Sequence, residues 1–133
     1  MANEWGTPPG LEDIADLAER ALATVPATLR QYVHGVAILV EEIADDETLA
    51  DLGIESAWDL TGLYRGVPIG YKGAGETRHE PDMILLYRTP ILLEWIESGE
   101  DLYRLVRNVL IHEVAHHFGF SDPEIAALER GPE

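Results

Sequence analysis

The feature that most constrains this chain is a stretch near its C-terminal end, HEVAHHFGFSD, which has the pattern H-E-x-x-H-x-x-G-x-x-D. Residues four apart lie on the same face of a helix, so His112 and His116 can bind one metal ion together. Glu113 lies beside them, where it can transfer a proton. Gly119 allows the chain to leave the helix through a left-handed turn, after which Asp122 can supply a third ligand.

The alternative interpretation of the two histidines is structural. His112 and His116 could be core imidazoles that are hydrogen-bonded to their neighbours, with Glu113 as a buried carboxylate paired to an arginine. The combination of all three residues with Gly119 and Asp122 at fixed offsets favours metal ligation and a general base over that alternative.

Asp122 also has a local alternative role. It precedes Pro123, which is typical of a residue that caps the N-terminus of a helix. However, Ser121 and Glu124 have the S-x-x-E spacing of a capping box, with Ser121 as the cap. If Ser121 caps the last helix, the Asp122 carboxylate is left available to the metal.

Other polar residues are weaker candidates. His117 lies on the shoulder of the helix, so we expect it to support the ligands or the fold rather than bind the metal. His34 and His79 are expected on the surface. Three tyrosines could stabilise an oxyanion, although the sequence does not place them: Tyr64, Tyr71 and Tyr87.

Length and composition predict one domain. The chain has 133 residues, of which 46% are hydrophobic, and this suffices for a core without disulfides. It contains no cysteine, which excludes a cysteine-based zinc finger. We divide it into an N-terminal arm, residues 1–10, whose Trp5 docks on the body, and a single domain, residues 11–133.

The net charge excludes some partners. With 25 acidic and 9 basic residues, the formal charge of −16 repels nucleic acid and anionic membranes but suits divalent cations and cationic substrates. The first residues lack the pattern of a signal peptide, and no apolar run approaches a membrane span. We therefore expect a cytoplasmic protein that binds a peptide or protein substrate, and the sequence is compatible with a homodimer.

Periodicity and turn signals predict six helical segments and three strands. We predict helices at Leu11–Thr24, Pro26–Gln31, Asp45–Gly53, Thr89–Glu97, from Glu100 through the motif, and Pro123–Glu129. We predict strands at Val33–Ile43, Leu63–Val67 and Met83–Arg88, with a hairpin loop at Pro68–Pro81. The first strand is almost continuously apolar, which predicts that both of its faces are covered.

The long helix shows an apolar stripe at helical spacing. Leu102, Leu105, Val106 and Val109 form that stripe, and the ligand residues continue it. This projection predicts that the ligand face is buried against the sheet.

The motif resembles that of the Asp-type zincins, which are metallopeptidases. The chain as a whole is similar to a group of small bacterial zincin-like metallopeptidase-domain proteins, or minimal zincins. The resemblance covers most of the chain, including LTGLYRGVP (residues 60–68) and DMILLYRTPIL (residues 82–92). It implies an α+β fold in which a small mixed sheet packs on an active-site helix with flanking helices. It also implies one Zn²⁺ per chain, with ligands His112, His116 and Asp122 and Glu113 as the catalytic base.

One departure concerns the support of the metal. Metzincins place a methionine-containing turn beneath the zinc, after the motif. Here the methionines, Met1 and Met83, both precede it. Any support for the metal must therefore come from other residues.

These observations lead to a main hypothesis and two rivals. The first is a zinc-dependent metallopeptidase whose substrate lies along an exposed sheet edge, with Met83–Arg88 as the expected edge strand. The second is a non-catalytic metal-binding module with a regulatory or interaction role. The third, a metal hydrolase that processes RNA, fits poorly because such proteins carry a third histidine and a basic surface.

Overall fold

The described part of the chain has an α+β fold of six α-helices and a small sheet, as the sequence predicts. A computed structural model describes residues 5–33, 35–66 and 82–130. The described helices are α1 (Leu11–Leu22), α2 (Ala27–Arg30), α3 (Asp46–Leu52), α4 (Arg88–Ser98), α5 (Leu102–His117) and α6 (Asp122–Arg130). The strands are β1 (Ala37–Glu41), β2 (Gly62–Arg65) and β3 (Met83–Tyr87), and a 3₁₀ turn spans Ala57–Asp59. The predicted hairpin loop, Pro68–Pro81, lies outside the described residues, as do His34, Tyr71 and His79.

The sheet is mixed and has the order β1-β3-β2. Strand β3 lies in the centre, parallel to β1 and antiparallel to β2. Four of its five residues, Ile84–Tyr87, are buried. The expectation that Met83–Arg88 is an exposed edge is therefore wrong. The segment takes the central position because its apolar side chains are covered on both faces of the sheet.

Strand β1 also differs from its prediction. It is an edge strand, and Leu39 is 42% exposed. Helix α1 packs against this strand, but the pattern of burial along β1 is only partial. The predicted cover on both faces is wrong, because an apolar run places a strand in a sheet without determining how many neighbours surround it.

Capping residues define the start of two helices. The side chain of Asp45 accepts a hydrogen bond from the backbone N–H of Thr48 at 2.7 Å, which starts α3. Asp101 accepts from the N–H of Arg104 at 3.0 Å, which starts α5. Each carboxylate satisfies an N–H group that has no partner within its own helix, so these boundaries are fixed by local chemistry.

The main core lies between α1, α5 and one face of the sheet. Helix α1 contributes Ile14, Leu17, Ala18 and Ala21, and α5 contributes eight buried residues. Trp5 packs at the margin of this core, which confirms its predicted docking. No helix in the described part of the chain is long and apolar enough to span a membrane.

Candidate functional site

The candidate site lies on the last two turns of α5. His112 and His116 project from the same face, with their ring centroids 5.9 Å apart and their planes at 19°. Both side chains are exposed. The helix therefore presents two imidazoles, one turn apart and nearly parallel, in an arrangement that suits joint binding of one metal ion.

The predicted burial of this face is wrong. The side chain of His112 is 51% exposed, whereas Ile111, Val114 and Ala115 on the other faces are buried. The apolar stripe does not meet the sheet along its whole length. At the motif it borders a cleft instead. The prediction is wrong because a helical projection shows which residues share a face but not where the neighbouring elements end.

The cleft has a volume of about 400 Å³. Residues from α5 form its floor, and α4, the residue before β2 and α6 form its walls. Its polar lining residues are Thr61, Glu94, Ser98, Glu100, Asn108, His112, Glu113 and Glu129. The motif residues His112 and Glu113 both line the cleft, so both can contact a molecule bound there.

Glu113 is the more sheltered member of the motif. Burial raises the pKa of its carboxyl above the ordinary value, and the nearby His112 and His116 partly offset that rise. A carboxylate whose pKa is raised towards neutrality accepts and returns protons more readily, which is the property required of a general base and acid.

A second carboxylate, Glu129, reaches the site from α6. Its Oε2 atom lies 3.6 Å from Nδ1 of His112. The sequence analysis missed this contact. A signal was available, since Ile125 is buried and Glu129 follows it by four residues, on the same face of α6.

The turn between α5 and α6 follows the sequence prediction. Gly119 adopts a φ of 87°, a conformation that favours glycine. The backbone N–H of Ser121 donates to Glu124 at 2.7 Å, and the N–H of Glu124 donates to Ser121 at 3.3 Å. This confirms the capping box, and the Asp122 side chain is exposed at the first position of α6.

The fit of this site to a metal ion is partial. His112 and His116 form a suitable pair, and Glu113 lies next to them. Among the described residues, however, no three His, Asp or Glu side chains converge closely enough to hold a metal, so Asp122 lies apart from the imidazoles. The metal-ligand roles of His112, His116 and Asp122 and the catalytic role of Glu113 therefore remain predictions.

His117 packs against the sheet. Its ring stacks on Tyr64 with centroids 4.2 Å apart, and a Cβ on Gly66 would lie 3.0 Å from its Nε2 atom. Tyr64 in turn donates a hydrogen bond from its hydroxyl to Asp82 at 2.6 Å. Burial and this carboxylate raise the pKa of Tyr64. These contacts give His117 a structural position, in agreement with the prediction.

Tyr87 lies away from the site. It is buried in a small second cluster on the other face of the sheet, with Ala44, Leu49 and Leu85. Side chains alternate between the faces of a strand, so Ile84 and Leu86 face the main core and Tyr87 does not. Tyr87 is therefore removed from the candidates for oxyanion stabilisation.

Gly62 sets the distance between β2 and α5. A Cβ at this position would meet Val109 Cγ1 at 2.9 Å and the carbonyl oxygen of Leu85 at 3.3 Å. No larger residue fits unless the strand or the helix moves. This close approach places the start of β2 directly beside the floor of the cleft.

The comparison with protein families agrees with this geometry. A family model described as zincin-like metallopeptidase matches residues 33–131, which include every strand and the whole motif. The chain belongs to the zincin-like metallopeptidase family. No curated protein matches it.

Proposed function

We propose that this zincin-like protein is a zinc-dependent metallopeptidase. The observation that carries the proposal is the pair of exposed, nearly parallel imidazoles of His112 and His116 beside a half-buried Glu113, with His112 and Glu113 lining one cleft. Family membership supports the same reaction class. The substrate is a peptide or protein.

His112 and His116 would hold the metal, with Asp122 as the third ligand. The capping box leaves the exposed Asp122 carboxylate without a role in starting α6, which supports its use as a ligand. When bound, zinc supplies a Lewis acid that polarises a peptide carbonyl and makes a water molecule easier to deprotonate. The donor set of two imidazoles and one carboxylate is one that zinc accepts in catalytic sites.

Glu113 performs the proton transfers. Its carboxylate accepts a proton from the attacking water, and the resulting carboxylic acid then donates that proton to the departing amine. Its raised pKa supports both steps, since burial lowers the cost of holding the proton between them.

Glu129 would orient His112. A carboxylate accepts hydrogen bonds and does not donate them, so the position of Glu129 beside Nδ1 favours the tautomer of His112 that carries its proton on that nitrogen. Nε2 then keeps its lone pair for the metal. Carboxylates that hold metal-binding histidines in this manner are common in metalloproteins.

Strand β2 replaces β3 as the proposed edge for substrate. The carbonyl of Thr61 accepts from the N–H of Tyr87 at 3.0 Å, so the alternation of an antiparallel pair turns the backbone groups of Leu63 and Arg65 towards β3 as well. Those of Gly62 and Tyr64 face the outer edge. An extended peptide could add to that edge as a further strand.

Replacing Glu113 by Gln tests the proposal. We expect the variant to keep its zinc and to lose peptide hydrolysis by about 10²–10⁴-fold, because the amide cannot transfer the proton. Glu100→Gln is the matched control, since it removes a charge from the same cleft at a residue outside the motif. Unchanged cleavage by zinc-loaded Glu113→Gln would contradict the proposal.

One observation favours a second candidate function. Because Asp122 lies apart from the imidazoles, the chain could bind metal as a regulatory or interaction module without hydrolysing peptides. Stoichiometric zinc in the wild-type protein, with no cleavage across a broad peptide library, would support that function instead.

A further inference from the structure

A second groove adjoins the cleft. It has a volume of about 690 Å³ and lies between α4 and the 3₁₀ turn. Thr61, Glu94 and Ser98 line both the groove and the cleft. The two spaces therefore adjoin at these three residues, and an extended peptide can pass from the groove to Glu113 in the cleft.

Two large apolar side chains line the groove from opposite walls. Trp58 projects from the 3₁₀ turn and is 56% exposed, and Leu93 projects from α4 and is 43% exposed. Pro90 of α4 also lines the groove. An exposed tryptophan in a concave site is typical of a surface that binds a partner, since its ring offers a large contact area at little cost in conformational entropy.

The rest of the groove is acidic. Asp59, Glu94 and Glu97 line it, and none of the described residues in its lining is a lysine, arginine or histidine. Carboxylates around an apolar surface favour a ligand in which a positive charge is close to an apolar group. The overall charge of −16 acts in the same direction.

We propose that this groove is a substrate subsite that selects peptides with a large apolar residue next to a lysine or arginine. The apolar side chain lies against Trp58 and Leu93, and the basic side chain faces Glu94 and Glu97. The inference rests on the proposed peptidase function, because it assigns the groove to the substrate of the adjoining cleft.

A second copy of the chain is a poorer occupant. Two copies would bring together surfaces of the same negative sign, which opposes association. A peptide that runs from the groove past Thr61 would also pair with the outer edge of β2, which no other described strand occupies, and self-association does not use that edge.

Peptide binding to the Glu113→Gln protein tests the subsite without cleavage. The probe is a fluorescent peptide that contains Leu-Lys, compared with Ala-Lys and Leu-Glu versions. We expect the Leu-Lys peptide to bind most tightly and Trp58→Ala to weaken its binding by about tenfold or more. The matched control is Ile96→Ala, because Ile96 lies on α4, is 72% exposed and does not line the groove.

Each outcome has a defined meaning. Equal binding of the three peptides, or equal effects of Trp58→Ala and Ile96→Ala, would overturn the subsite. A wild-type dimer that Trp58→Ala converts to a monomer in sedimentation would also overturn it, by making the groove a self-interface. Selective binding without cleavage by the wild-type protein would instead overturn the peptidase function and leave the subsite intact. Thermal unfolding of each variant verifies that it is folded.

Discussion

Helix α5 consists of two halves that differ in their surroundings. In the first half, Leu102–Leu110, the apolar stripe packs on α1 and the sheet, and five of nine residues are buried. In the second half, Ile111–His117, buried residues occupy one side, while His112 and His116 are exposed and His112 lines the cleft. One continuous helix thus packs into the core with one half and presents two exposed imidazoles with the other.

The largest expected effect is on the free energy of unfolding, which substitutions in the two halves should change by different amounts. Leu110→Ala removes a fully buried side chain from the first half and should lower the free energy of unfolding by about 2–5 kcal/mol. His116→Ala changes an exposed side chain and should alter it by less than about 0.5 kcal/mol. Denaturant titration of the metal-free proteins measures both. Equal losses would show that the two halves do not differ as described.

A smaller effect is expected on zinc binding by the second half of α5. Glu129→Ala removes the carboxylate beside His112 and should weaken zinc binding by about 10–100-fold. Glu94→Ala is the matched control, since Glu94 lines the same cleft without contacting either imidazole. Zinc titration with a competing chelator gives the dissociation constants. Equal weakening by the two variants would show that Glu129 contributes only negative charge and does not orient His112.

The contact between His117, in the second half of α5, and Tyr64 of β2 leads to a prediction about how stability depends on pH. The folded chain holds the Tyr64 proton more tightly than the unfolded chain, whose tyrosines titrate near pH 10, so stability should fall as the pH rises above about 10. Tyr64→Phe removes the hydrogen bond to Asp82 and should cost about 1.5 kcal/mol at neutral pH.

The same variant should lose less stability between neutral and alkaline pH than the wild type does, because phenylalanine has no proton to release. Tyr32→Phe is a suitable control, since Tyr32 is exposed. Parallel pH profiles for wild type and Tyr64→Phe would show that Tyr64 does not carry this effect.

Local chemistry explains which parts of the fold the sequence predicted well. The capping box at Ser121, the left-handed turn at Gly119 and the helix end at Gly53 each depend on a few neighbouring residues. Helical periodicity placed α1 and α5 for the same reason, since a stripe of apolar residues depends only on spacing within one helix.

The errors concern contacts between distant segments. The sequence of β3 shows that it is apolar but not that two strands flank it. The sequence of β1 does not show that, among the described strands, it pairs only with β3. The cleft was missed because its walls come from Thr61, α4 and α6, which a projection of α5 alone does not include. Glu129 was missed for the same reason.

The most direct test of the central claim is the zinc content of purified wild-type and His116→Ala proteins, with peptide-library cleavage measured on the same samples. We predict about one zinc ion per wild-type chain together with cleavage, and neither zinc nor cleavage in His116→Ala. Equal zinc in the two proteins would contradict the claim that the exposed face of α5 is the metal site, and undiminished cleavage by His116→Ala would contradict its role in hydrolysis.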